Sequence, residues 1–216
     1  MCLSYEKTIL YGEVLEKMTK IRAFPTYARC RRDNPAVHKL LNELEKLGRL
    51  PPRLGAASER HELCRDGRGG SFCCDKSGPG TILLCYDKNW VDCETLAYEL
   101  SHAVALARGL VECQQPGNRY PGVAQTCGFM NMRDLACSEV RASRLSGRCR
   151  VVGRDRYQCP AYHAQWALNC VYPDSTVEER KRLVRRAFHA CTQDTQPRQV
   201  ILSRIIVGLL FFFRMA

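Results

Sequence analysis

The chain has 216 residues, 14 of them cysteine, and a formal net charge of +11 at pH 7. That length suits one domain with a real core, and the cysteine content argues against an ordinary reduced cytosolic protein. No stacking aromatics or binding motif accompany the basic residues, which argues against nucleic acid as a partner.

Taken in chain order, residues 1–25 read as an N-terminal extension. Glu6, Glu13 and Glu16 make it too acidic for a transit peptide, and it lacks the apolar stretch of a signal peptide. Import by cysteine trapping needs neither feature. Arg29, Arg31 and Arg32 form a first basic cluster. Asn34 followed by Pro35 predicts a helix start, because the amide caps free N–H groups and proline costs nothing at N1. Val37, Leu40, Leu41, Leu44 and Leu47 are its expected buried side and Gly48 its end. Residues 49–80, rich in Gly, Arg and Cys, are expected to be loop with short strands. Gly78-Pro79-Gly80 then makes a turn before a buried strand over Thr81–Tyr86.

The next helix is capped by Asp92, with Cys93, Glu94 and Thr95 in its first turn and Gly109 as its stop. Leu96, Leu100, Ala103 and Ala107 recur at helical spacing as a buried face, and Tyr98, His102 and Ala105 lie on a neighbouring face. Tyr98-Glu99-Leu100-Ser101-His102 is the pattern His-Glu-x-x-His with tyrosine in the first position. In the full pattern both imidazoles reach one Zn²⁺ from one helix face, and the glutamate is general base on the metal-bound water. Taken alone, the match has a plain structural alternative, a helical histidine with a glutamate beside it.

A loop follows over about residues 110–129, marked by Pro116, Gly117, Pro121 and Gly122. A helix around residues 133–145 carries Glu139, either as a carboxylate ligand reaching His102 or as an ion-pair partner of Arg141 or Arg144. A helix begun at Ser175 or Thr176 has Glu178 and Glu179 in its first turn, where the helix dipole favours acids. Leu183, Ala187 and Ala190 are its expected inner side. Arg180, Lys181, Arg182, Arg185 and Arg186 read first as a solvated face and second as an attraction for anionic lipid. Residues 200–213 are apolar apart from Ser203-Arg204 and fall short of the ~20 residues that span a bilayer. They dip into a membrane surface, pack on the body, or are a gene-model artefact.

The cysteines are scattered rather than grouped in CxxC pairs, which favours a disulfide framework over zinc ribbons. Cys73 and Cys74 are adjacent and need partners elsewhere, while Cys2, Cys113 and Cys127 are candidates for free thiols. Connectivity is not readable.

The run Leu135-Ala136-Cys137-Ser138-Glu139-Val140-Arg141-Ala142, continued through Leu145-Ser146-Gly147-Arg148-Cys149, resembles a sequence block of one family. That family is the mitochondrial inner membrane metalloproteases that help assemble ATP synthase. Thr95–Ala103 is similar to its THELIHA-type helix, Cys159 to its next cysteine, and Ala187–Pro197 to its F-x-x-C-x-x-D-x-x-P terminus. The resemblance covers residues 26–198, read as one domain followed by an apolar tail over 199–216. It implies an α+β, zincin-like metalloprotease fold, mostly helical with a small sheet and cysteine-rich. It also implies a Zn²⁺ cofactor, Glu99 as catalytic base, and His102 with Glu139 as metal ligands. Tyr98 stands at the position of the lost ligand. Cys30, Cys64, Cys85, Cys137, Cys149, Cys159 and Cys191 are the implied disulfide cysteines. The implied partner is the precursor of a membrane subunit of ATP synthase, and the implied site is the intermembrane space, peripheral to the inner membrane.

The departures concern the same chemistry. Beyond Tyr98, Ala105 stands where the family has an acid, and Arg148 replaces the acid of its LSGDC block. A phenol of pKa near ~10 must lose a proton to bind metal at neutral pH, so it replaces imidazole poorly. Two functions follow: a metalloendopeptidase with an eroded zinc motif, or a catalytically inactive assembly factor on the same fold.

Overall fold

The computed structural model describes residues 25–58, 69–74, 78–86, 93–113, 131–149 and 157–193. The N-terminal extension, the apolar tail, Asp92, the Pro116–Gly122 loop, Cys2, Cys64 and Cys127 lie outside them. Among the described residues, six helices and three strands run in the order α1 (Pro25–Asp33), α2 (Pro35–Lys46), β1 (Arg53–Ser58), β2 (Gly70–Cys73), β3 (Thr81–Tyr86), α3 (Cys93–Ala107), α4 (Met132–Leu145), α5 (Gln158–Val171) and α6 (Val177–Gln193). The protein is α+β and mostly helical, with one small sheet.

The sheet has the order β1-β3-β2. β1 runs parallel to β3 with Arg53 opposite Thr81, and β2 runs antiparallel with Gly70 opposite Leu84 and Cys73 opposite Thr81. Ile82, Leu83, Leu84 and Cys85 are all buried, as a central strand with an unbroken apolar run should be.

The helix ends follow their capping chemistry. Asn34 Oδ1 accepts from the N–H groups of Ala36 and Val37, both at 3.0 Å, and so starts α2. α3 ends at Gly109, whose φ of 66° only glycine adopts cheaply. The N–H of Gly109 bonds Leu106 O and that of Leu110 bonds Ala105 O, satisfying the last carbonyls in a Schellman turn. Asn131 caps α4 through Asp134 N at 2.9 Å. Thr176 and Glu179 cap α6 reciprocally: Thr176 Oγ1 accepts from Glu179 N, and Glu179 Oε2 accepts from Thr176 N.

Three side chains fall on other faces than the periodicity predicts. Leu47 is exposed, because it sits at the C-cap of α2 where the helical face has turned outward. Ala190 is exposed, and Val184, Ala187 and Cys191 form the buried stripe of α6 instead. Arg180 is buried, with Nη1 donating to Ser175 O, so it serves the entry of α6 rather than the solvated face.

α3 is the axis of the core, and every residue from Thr95 to Ala105 is buried. α2 covers one side through Val37, Leu40 and Leu44, and α4 covers another through Leu135 and Val140. α5 and α6 close over α4 with Leu168 and Val184. Disulfides tie these layers: Cys30–Cys93 joins α1 to α3, Cys74–Cys113 joins the end of β2 to the segment after α3, and Cys137–Cys191 joins α4 to α6. Cys149–Cys159 links the segment after α4 to α5, and Cys73, Cys85 and Cys170 are disulfide-bonded as well. Cys113 is therefore not a free thiol. Its position just after the Gly109 turn brings it back against the end of β2.

Candidate functional site

Tyr98, Glu99 and His102 are 6%, 6% and 4% exposed, so this stretch of α3 meets protein on all sides. β2 lies over Glu99. A Cβ added to Gly70 would fall 3.3 Å from Glu99 Cγ and 3.1 Å from Leu83 O, so the absence of a side chain there allows the close approach. Phe72, two residues on, stacks on the His102 ring at 6.4 Å between centroids.

From the opposite side α4 presents Ser138, Glu139 and Ser143. The Tyr98 hydroxyl donates to Glu139 Oε2 in a short bond and lies 3.4 Å from Ser143 Oγ. His102 Nε2 stands 3.6 Å from Glu139 Oε1, and His102 Nδ1 lies 2.6 Å from Ser138 Oγ. Glu139 thus receives Tyr98 on one oxygen and faces His102 with the other. The tautomer with its proton on Nε2 suits this arrangement, with Ser138 donating to Nδ1.

Burial controls the protonation states. It drives the Tyr98 phenol well above its ordinary range, helped by the charge of Glu139 and by the hydrogen bond to it. Tyr98 is a neutral donor at any physiological pH. Burial also pushes His102 down to about 3, so the imidazole is neutral and its contact with Glu139 is a polar one, not an ion pair.

α5 and the α4–α5 connection complete the surroundings of Tyr98. The Arg148 guanidinium lies 4.7 Å above the Tyr98 ring and its Nη2 donates to Thr95 Oγ1 at 3.2 Å. His163 meets the same ring edge-on at 6.0 Å. Ala105, where an acid is expected from the resemblance, is buried apolar surface at 2% exposure.

The donor set decides how well zinc fits here. A catalytic zinc needs three protein ligands and an open position. Two ligand-type atoms converge, His102 Nε2 and Glu139 Oε1. The third position holds a protonated phenol whose oxygen is committed to Glu139. Among the described residues, the Tyr98, His102, Glu139 group is therefore one ligand short of a zinc centre. The tyrosine–carboxylate bond itself spans α3 and α4.

A sequence profile of the peptidase M76 family, a metalloprotease family, matches residues 120–199, which includes α4, α5 and α6. Over these residues the chain is similar to the peptidase M76 family. Curated relatives are similar over a longer stretch, 76% of this chain. They include the proteins named mitochondrial inner membrane protease ATP23 in Debaryomyces hansenii, at 24% identity, and in Meyerozyma guilliermondii, at 25%. The human protein named mitochondrial inner membrane protease ATP23 homolog is 27% identical. The chain spans 66%, 64% and 63% of these three relatives, somewhat less than two thirds of their length. No solved structure matches significantly. Among the described residues, no helix is long and apolar enough to cross a membrane.

Ser138, Ser143, Phe72 and His163 belong to the site but were not singled out in the sequence. Ser143 follows Glu139 by four residues, one helical turn, which is a readable signal. Phe72 and His163 come from elements with no motif, and only the packing reveals them.

Proposed function

We propose that this chain is a non-cutting member of the M76 family that binds the precursor of a membrane subunit of ATP synthase and assists its assembly. The observation that carries this reading is the hydrogen bond from Tyr98 to Glu139, which spends both a ligand position and a candidate ligand on each other. The proposed setting is the intermembrane-space face of the mitochondrial inner membrane. Support comes from the names of the relatives and from the disulfides, which that compartment tolerates. Arg182, Arg185 and Arg186 on the exposed face of α6 suit contact with anionic lipid.

A second reading is a working metalloendopeptidase. The approach of His102 Nε2 to Glu139 Oε1 and the place of Glu99 beside them favour it, with a third ligand recruited from elsewhere. One experiment separates the two. Wild-type chain, Tyr98→His and Glu99→Gln are purified without added metal, assayed for zinc, and tested for binding and cleavage of a membrane-subunit precursor. The proposal expects precursor binding with little zinc and no cleavage in wild type, and higher zinc occupancy in Tyr98→His. Cleavage by wild type that Glu99→Gln abolishes overturns it.

A further inference from the structure

A second cluster of metal-binding side chains lies on the outer side of Tyr98, separate from the His102–Glu139 contact. The ligand atoms of Cys149, Cys159 and His163 all lie within 4.8 Å of one another. Cys159 and His163 are one turn apart on α5, so sulfur and imidazole share a helix face, and Cys149 reaches them from the segment after α4. Cys149 and Cys159 are joined in a disulfide whose Cα atoms are 5.6 Å apart. Cys149 and His163 are half-buried rather than enclosed, so reductant and ion can reach them.

We infer that Cys149, Cys159 and His163 form a zinc site in the protein once the Cys149–Cys159 disulfide is reduced. Zn–S bonds of ~2.3 Å and a Zn–N bond of ~2.0 Å place tetrahedral ligand atoms roughly 3.5–3.8 Å apart. Reduction frees the bonded sulfurs to separate to that spacing, and the imidazole, within 4.8 Å of them, closes in by about an ångström. Two thiolates and one imidazole are a soft donor set that suits zinc, and they leave a fourth position for water or an added ligand. The redox step is a thiol–disulfide exchange with a dithiol. The Cys149–Cys159 S–S bond breaks, and two electrons and two protons pass from the dithiol to the protein. The dithiol closes its own S–S bond and the protein holds two thiols. Zinc binding then releases both protons to solvent, and each sulfur donates an electron pair to the metal. The disulfide and the metal are thus alternatives at the same two sulfurs.

The site borders the candidate functional site through two contacts. Arg148, next to Cys149 in sequence, covers one face of the Tyr98 ring, and His163 packs on its edge. The surroundings of Tyr98 therefore include one zinc ligand and the neighbour of another.

Co²⁺ is the probe, since thiolate-bound cobalt gives a charge-transfer absorption that oxygen-bound cobalt lacks. A reductant opens other disulfides as well, so the deciding variant leaves them closed. Cys149→His removes this one disulfide without a reductant and preserves a three-ligand set of His, Cys159 and His163. Under non-reducing conditions, full-length Cys149→His should bind one Co²⁺ with a thiolate band that Zn²⁺ displaces. Adding His163→Ala should weaken that binding by more than ~10-fold, the least expected when even an outer-shell partner is lost. Cys149→Ala, with two ligands left, should show the same loss. In parallel, dithiol-reduced wild type should show a band that reduced His163→Ala lacks. Absence of the band in folded Cys149→His, or equal bands with and without His163, overturns the inference. Should Cys149→His not fold, the comparison of reduced wild type with reduced His163→Ala decides it by the same criterion.

Discussion

Replacing Tyr98 with phenylalanine tests whether the hydroxyl–carboxylate bond that joins α3 to α4 holds the two helices together. The ring and its contacts with Arg148 and His163 remain, and only the hydroxyl is lost. Glu139 then keeps a largely buried carboxylate, 13% exposed, without its donor, and the nearby Ser143 hydroxyl loses a neighbour at 3.4 Å. A hydrogen bond to a charged group contributes ~1.5–3 kcal/mol, and an unsatisfied buried acceptor adds to the loss. A destabilisation of about 2 kcal/mol is expected, equivalent to a fall in Tm of roughly 4–8 °C for a chain of this size. Urea unfolding with disulfides intact should show a lower midpoint at an unchanged m-value. The double variant Tyr98→Phe/Glu139→Ala should destabilise by less than the sum of the single variants, because both remove the same bond. Additive effects, or a Tyr98→Phe change below ~0.5 kcal/mol, would refute the bridge and reopen the question of what holds this site closed.

Other outcomes follow from the same geometry. His102 is held near pH 3 in the fold against ~6.5 unfolded, so the unfolded state binds the extra proton between those values. Stability should therefore fall as pH drops from ~6.5 toward ~3, by at most ~1.4 kcal/mol per pH unit from this group. Urea titrations across that range should show a shallower slope in His102→Gln, and an unchanged slope would contradict the neutral buried imidazole. The pair Cys30–Cys93 has a sequence separation of 63 and Cys149–Cys159 one of 10. Chain entropy assigns their removal costs of about 4 and about 3 kcal/mol, so paired Cys→Ser variants should rank in that order by denaturant midpoint. Arg108 donates to Glu43 through Nε at 2.7 Å, but both side chains are about a quarter exposed. Arg108→Gln should cost no more than ~1 kcal/mol, less at high salt, and a larger loss would mark this pair as a true tie between α2 and α3.

What was legible in the sequence was local. Asn34-Pro35, Gly48, Gly109 and the run Thr81–Tyr86 announced helix ends and a central strand, because caps and turns act within a few residues. The identity of the Tyr98 partner was half legible. Glu139 was named as a reach-across carboxylate toward His102, yet it bonds the tyrosine as well, since the phenol extends farther across the gap than an imidazole would. Faces were misread at Leu47 and Ala190, where a periodic pattern was carried past the end of the packed stripe. The pairing of Cys74 with Cys113 was out of reach, because it depends on how the chain returns after α3 and no spacing rule encodes that.

The burial of α3 on every side has a bearing on how such chains are recognised. In an enzyme whose motif lines an open cleft, losing the chemistry frees the motif residues to drift. Here Glu99, Ser101 and His102 are also bricks of the interior: Ser101 Oγ bonds Ala97 O at 2.8 Å, and His102 fits between Phe72 and Ser138. Replacing any of them disturbs packing whether or not a peptide is ever cut. Two of the three specified letters of His-Glu-x-x-His, Glu99 and His102, are thus held in place by packing, and the demands of folding are enough to account for their presence.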